Sequence, residues 1–215
     1  CSDAGYEAVE LTFSATGKDL NIDMSNEELK EVSKRCADAG VTIAAVLGHY
    51  AESGNLLSRD ATERQACCRC LARVLEIAGI LGSEAVLLHP GQLTAEGTYG
   101  QAWDDLTGAL RDLASVAAQH RAAIAVENVW NKFMLSSREA GQLVDEVGSD
   151  WVGIYLDTAN MMAFGFPEHW IRDLGTRIKK VHLKDFVRRD QAWVDLMDGD
   201  TDWPTVMAEL RATGY

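Results

Sequence analysis

No run of about 18 apolar residues occurs in the chain, so no segment reads as a membrane-spanning helix. The start, "CSDAGYEAVEL", has no basic stretch leading into an apolar one, and no signal peptide is visible there. Proline- or glycine-rich linkers and low-complexity tracts are also missing, so the 215 residues read as one domain, residues 1–215. Positive charge is scarce. Lys and Arg number 20 against 33 Asp and Glu, a net charge of −13. Such a chain repels phosphate backbones, which argues against nucleic acid as a partner. A small anionic ligand stays compatible, because a local cationic pocket overrides the global field.

Paired cysteines are lacking too. Of Cys1, Cys36, Cys67, Cys68 and Cys70, three crowd into "ACCRCL" within a helical pattern. The odd count and irregular spacing argue against a disulfide framework. Structural zinc sites recruit ligands from two spaced pairs, and no second pair follows. These cysteines read as soft helix-packing residues in a reducing compartment, and the cytoplasm is the expected location.

Apolar content is 47%, enough for a sizeable core. Six strand-like runs recur: 6–13, 41–50, 84–91, 122–130, 152–160 and 178–186. Most are continuously apolar, the mark of parallel strands covered on both faces. Between them stand helix signals. Ser25 with Glu28, Asp60 with Glu63, and Ser136 with Glu139 fit the capping box. Gly40 and Gly82 fit helix stops, and Asp202 caps a last helix with Pro204 in its first turn. Leu29, Val32 and Cys36 form an apolar stripe, as do Leu71, Val74, Leu75 and Ala78. Repeated β–α units predict an α/β fold, either a (β/α)-barrel or a doubly wound sheet. A closed barrel needs about eight strands. The expectation is a (β/α)8 barrel incomplete as given, with one strand before Cys1 and one after Tyr215.

Each apolar run finishes on a polar residue: Glu10, His49, His89, Glu127, Asp157 and His182. Barrel strands open their C-terminal ends onto one face, which hosts the active site. A buried carboxylate there is costly unless paired or metal-bound. Glu127, Asp157 and His182 form an oxygen–nitrogen set suited to one divalent ion such as Mn²⁺, Co²⁺, Zn²⁺ or Mg²⁺. Glu10, His49 and His89 are candidates for substrate contact. Lys184, Arg188 and Arg189 follow on the same side and could hold an anionic group. His120 and His169 read as structural, and Trp130 and Trp170 as packing.

At these residues the chain resembles the xylose-isomerase-like (β/α)8 superfamily of sugar isomerases and epimerases. The likeness rests on an ordered set: "GYEAVEL", "LLHPG", "AVENVW", "YLDTAN", "KKVHLKD" and "GDTDWPTVMAEL". It implies a metal held by Glu127, Asp157 and His182, with a fourth ligand, a Glu, expected beyond Tyr215. Within the superfamily, "ENVWNKF", "DTAN" and "HLKD" are similar to the branch of L-ribulose- and L-xylulose-5-phosphate 3-epimerases and hexulose-phosphate isomerases. Asn160 fits that branch, whereas Arg188 matches the free-ketose 3-epimerases. Asn128, Asn160, Lys184, Asp185 and Arg188 are then expected at the substrate, a sugar or sugar phosphate. The resemblance also implies proton transfer beside a carbonyl through an enediolate, with Glu127 as acid/base. Two other readings stay open: an apurinic-site endonuclease-like zinc enzyme, and a non-catalytic sugar-binding relative. The chain's partners would be a small sugar and, if it oligomerises, copies of itself, with no membrane.

Overall fold

The computed structural model describes residues 1–14, 20–48 and 54–215. Six of its strands are β1 (Ala8–Phe13), β2 (Thr42–Gly48), β3 (Ala85–Leu88), β4 (Ala123–Glu127), β5 (Val152–Asp157) and β6 (Ile178–His182). They form one sheet in the order β1-β2-β3-β4-β5-β6, and every neighbouring pair is parallel. The order never reverses, so the doubly wound alternative is excluded and the sheet is the curled part of a barrel. Helices α1 (Asn26–Asp38), α2 (Ala61–Leu81), α3 (Tyr99–His120), α4 (Ser137–Val147) and α5 (Pro167–Leu174) return the chain between strands, and α6 (Trp203–Ala212) follows the last. None of these helices is long and apolar enough to cross a membrane.

Alternation along each strand separates two apolar faces. Val86, Leu88, Ile124, Val126, Val152, Ile154 and Leu156 point outward and join the helices in the main core. Ala45, Ala85, Leu87, Ala125 and Tyr155 point inward and make a second, small cluster. Three inward alanines leave room in the barrel interior for larger groups above them. Cys67 and Cys70 are buried in α2 among core residues. Burial pushes the Cys67 thiol up to about 12, so it stays protonated and inert.

Two register shifts decide which side chains face inward. On β5 and β6, Ile154 pairs with Ile178 but Tyr155 pairs with Lys180, which leaves Lys179 as an extra residue. Ile178 and Val181 therefore both join the outer core although three positions separate them. Lys180 and His182 turn inward as a result. Gly153 accommodates this bulge, because a Cβ there would stand 2.5 Å from the Arg177 carbonyl oxygen. The same device on β2 follows Val9, where Glu10 pairs with Ala45 rather than Ala44.

The helix ends depart in part from the sequence reading. Ser25 and Glu28 make the full reciprocal box. Asp60 instead accepts from the Thr62 N–H. Ser136 accepts from Glu139, but the Glu139 carboxylate reaches back to Leu135 N–H, one residue earlier than expected. Gly40 and Gly82 take positive φ, 74° and 75°, as helix stops. Asp202 caps α6 through Thr205 N–H. The run 178–186 is not one strand, as expected, but is interrupted. It ends as β6 at His182, and Asp185–Val187 (β7) instead pairs antiparallel with Ala192–Val194 (β8). A hairpin thus projects just past the end of β6.

Candidate metal centre at the strand ends

Register brings the ends of β4, β5 and β6 level. Glu127 pairs with Tyr155, and Asp157 pairs with His182. One ligand atom from each of Glu127, Asp157 and His182 lies within 4.8 Å of the others. His182 Nδ1 is 3.1 Å from Glu127 Oε1, and its Nε2 is 3.0 Å from Glu10 Oε2. Burial alone would depress the imidazole, but the hydrogen bonds and charges of Glu10 and Glu127 outweigh it and hold its pKa at about 9. Burial likewise opposes the Glu10 carboxylate, yet His182 and Tyr155 carry it below its usual value.

Asp157 is fully buried. Its Oδ1 accepts the Ala159 and Asn160 N–H groups, 2.9 Å each, so the turn after β5 orients the carboxylate. Its Oδ2 accepts no hydrogen bond, although the Lys184 ammonium stands 3.1 Å away as an ion pair. A buried carboxylate oxygen without a donor, beside a second carboxylate and an imidazole, is the donor set a divalent cation satisfies.

Asn128 sets Glu127 against Asp157. Its side-chain amide spans the Asp157 backbone, donating to the carbonyl at 3.0 Å and accepting from the N–H at 2.8 Å. Asn160 is buried, and its Nδ2 donates to the Asn128 carbonyl at 2.8 Å. Lys184 Nζ lies 3.4 Å from Asn160 Oδ1 and 5.3 Å from the Trp193 ring centroid. His89 stands exposed beyond β3, its Nδ1 accepting from Gly91 N–H. Desolvation lowers its pKa, and the charge of Glu127 opposes that. His49 lies outside the described residues.

Two residues expected at the substrate are engaged elsewhere. Asp185 is buried, and its carboxylate accepts from the N–H groups of Phe186, Met197, Gly199 and Thr201 and from Trp203 Nε1. It secures the loop leading to α6, and its oxygens are consumed there. Arg188 donates to the carbonyls of Met162 and Gly165 and lies over the Phe166 ring, so it clamps the segment after β5. Trp130 does pack, with its ring 4.5 Å from that of Trp193, but 46% of its surface stays exposed. Its Nε1 donates to the Asn160 carbonyl.

Tyr155 escaped the sequence reading. It stands two residues before Asp157 and so on the same inward face. Its hydroxyl donates to Glu10 Oε1 at 2.8 Å. A signal was present: a polar-tipped aromatic in an otherwise apolar strand, in phase with the strand-end aspartate.

The family model described as "Xylose isomerase-like TIM barrel" matches residues 1–215. Among characterised sequences, the 2-epi-5-epi-valiolone 7-phosphate 2-epimerase of Actinoplanes sp. is 29% identical over 188 residues, covering 84% of this chain and 64% of that protein. The chain spans less than two thirds of the length of the curated relatives it matches. Among solved structures, a D-tagatose 3-epimerase-like protein superposes with a TM-score of 0.86 at 21% identity, covering all of this chain and 80% of that one. The IolI protein with a bound zinc atom superposes with a TM-score of 0.81 at 18% identity, over all of this chain and 78% of that one.

Proposed function

The chain belongs to the xylose isomerase-like TIM barrel family, and from that premise we propose that it serves as a metal-dependent isomerase or epimerase of a ketose or ketose phosphate. One observation carries the reading. Glu127, Asp157 and His182 converge within 4.8 Å at the C-terminal ends of adjacent parallel strands, where barrel enzymes do their chemistry. The similarity to a 2-epi-5-epi-valiolone 7-phosphate 2-epimerase supports an epimerase acting on a phosphorylated substrate.

Glu127, Asp157 and His182 would hold one divalent ion. Bound there, it would polarise a substrate oxygen and offset the negative charge that develops as the proton leaves. The chain's own residues do the rest. Asn128 fixes the spacing between the two carboxylates through the Asp157 backbone. Glu127, only 12% exposed at its side chain, accepts the proton from the carbon beside the carbonyl. Lys184, half-exposed beside Asp157 and Asn160, is placed to meet an anionic or hydroxyl-rich group entering from the mouth.

Steady-state kinetics on pentulose and hexulose phosphates, and on the free ketoses, with added Mn²⁺ or Co²⁺ test this. Turnover is expected, with Glu127→Gln folded but slower by about 10²–10⁴-fold. Wild-type rates in Glu127→Gln would dismiss the assigned role. Inactivity of the unsubstituted protein on every ketose and ketose phosphate would dismiss the reaction class.

A further inference from the structure

The geometry points to Glu10 and Tyr155 as positioning residues that fix the ring of His182 for a metal ion, not as substrate contacts. The inference rests on the proposed metal centre and assigns a supporting layer to it.

Three contacts run in series across the barrel interior. The Tyr155 hydroxyl donates to Glu10 Oε1 at 2.8 Å, Glu10 Oε2 meets His182 Nε2 at 3.0 Å, and His182 Nδ1 faces Glu127 Oε1 at 3.1 Å. Glu10 sits on β1 and His182 on β6, the two outermost strands of the sheet. This chord therefore spans the hollow of the barrel and joins elements with no backbone pairing between them.

Both Glu10 oxygens are engaged, one by a hydroxyl and one by the imidazole. A phenol can only donate to a carboxylate, so Tyr155 fixes the carboxylate's rotation. The carboxylate can only accept, so it requires a proton on His182 Nε2. Glu127 Oε1 calls for a proton on Nδ1 in the same way, so a metal ion bound there would take the place of the Nδ1 proton, while the Nε2–H bond to Glu10 fixes Nδ1 as the nitrogen left to ligate. Histidines that bind metal usually donate their other N–H to a carboxylate, which fixes tautomer and orientation. Tyr155 itself is 4% exposed and packs on Ala45, Ala85, Leu87 and Ala125. Its hydroxyl is thus delivered to Glu10 from a rigid ring.

The experiment is Mn²⁺ titration by calorimetry on the purified protein and on Glu10→Gln and Tyr155→Phe. Thermal melts of the metal-free proteins check the fold, and Co²⁺ absorption reports on the ligand field. Glu10→Gln is expected to weaken Mn²⁺ binding by about 10–100-fold and to alter the Co²⁺ spectrum. Tyr155→Phe keeps the ring and should weaken binding less, in the same direction. A merely structural role would lower the melting temperature and leave the affinity alone. Unchanged affinity in Glu10→Gln, or in a folded Tyr155→Phe should Glu10→Gln not fold, overturns this inference and leaves the metal centre standing. Failure of the unsubstituted protein to bind Mn²⁺ overturns both.

Discussion

Lys184 Nζ lies 3.1 Å from Asp157 Oδ2, a fully buried oxygen that accepts no hydrogen bond. The ammonium neutralises the carboxylate without satisfying it. A divalent cation at the same oxygen would compete with it, because two positive charges cannot share one ligand atom cheaply.

Replacing Lys184 by Met separates these effects. The metal-free protein should lose about 1–3 kcal/mol, between the values for exposed and buried pairs, since the lysine side chain is 44% exposed. Mn²⁺ should then raise the melting temperature more in Lys184→Met than in the unsubstituted protein. Differential scanning fluorimetry with EDTA or with Mn²⁺ reads both quantities. Equal metal-induced shifts would show that the lysine and the ion do not compete.

Asp185 gives a pH prediction. Burial works against its ionisation, but the donors of Thr201, Phe186, Trp203 and Gly199 outweigh that and bring its pKa to about 2. The folded value lies below the unfolded one, so its stabilisation is present above about pH 4 and is lost as pH falls toward 2. Asp185→Asn should lack that slope. At neutral pH it should cost about 2–4 kcal/mol, because its amide places donors against donors. Urea melts across the acid range measure both.

Asn128→Ala should remove two hydrogen bonds from the Asp157 backbone and leave a buried N–H and carbonyl unpaired. A loss of about 2–4 kcal/mol is expected, together with weaker Mn²⁺ binding as the two carboxylates lose their fixed spacing. Asn128→Asp keeps the acceptor but sets a carboxylate oxygen against the Asp157 carbonyl and adds a buried charge beside Glu127 and Asp157, so it should cost at least as much stability as Asn128→Ala. Denaturant titration and calorimetry report the two effects.

Gly153→Ala should be disproportionately harmful for a single methyl. Its Cβ would meet the Arg177 carbonyl at 2.5 Å and Lys179 Cγ at 2.6 Å. Backbone must shift, at about 1–3 kcal/mol or more. Circular-dichroism melts check this, with Gly108→Ala within α3, where nothing lies within 4 Å, as the control expected to stabilise by about 0.5–1 kcal/mol.

Strand order was legible because continuous apolar runs and helix signals are local, and each run ends on a polar residue. Glu127, Asp157 and His182 stood out for the same reason: an ionisable group ending an apolar strand is conspicuous in one dimension. The hairpin after His182 was not legible, since "KKVHLKDF" keeps its apolar alternation across the break. The bonding of Asp185 was hidden, because its five donors come from residues up to Trp203, a clustering that only the folded loop creates. The reach of Glu139 to Leu135 depends on chain direction before the helix. Tyr155 needed a partner on β1, which sequence distance hid.

The extra residue at Lys179 acts as a phase shifter. Upstream of it, β6 presents Ile178 to the helices; downstream, His182 faces the hollow. Without that bulge, regular alternation over the same residues, Ile178–His182, would exchange inside for outside along the rest of the strand. The imidazole would turn into the helical layer and Val181 would take its place over the hollow. At this point of the chain, counting residues matters more than which residues are counted.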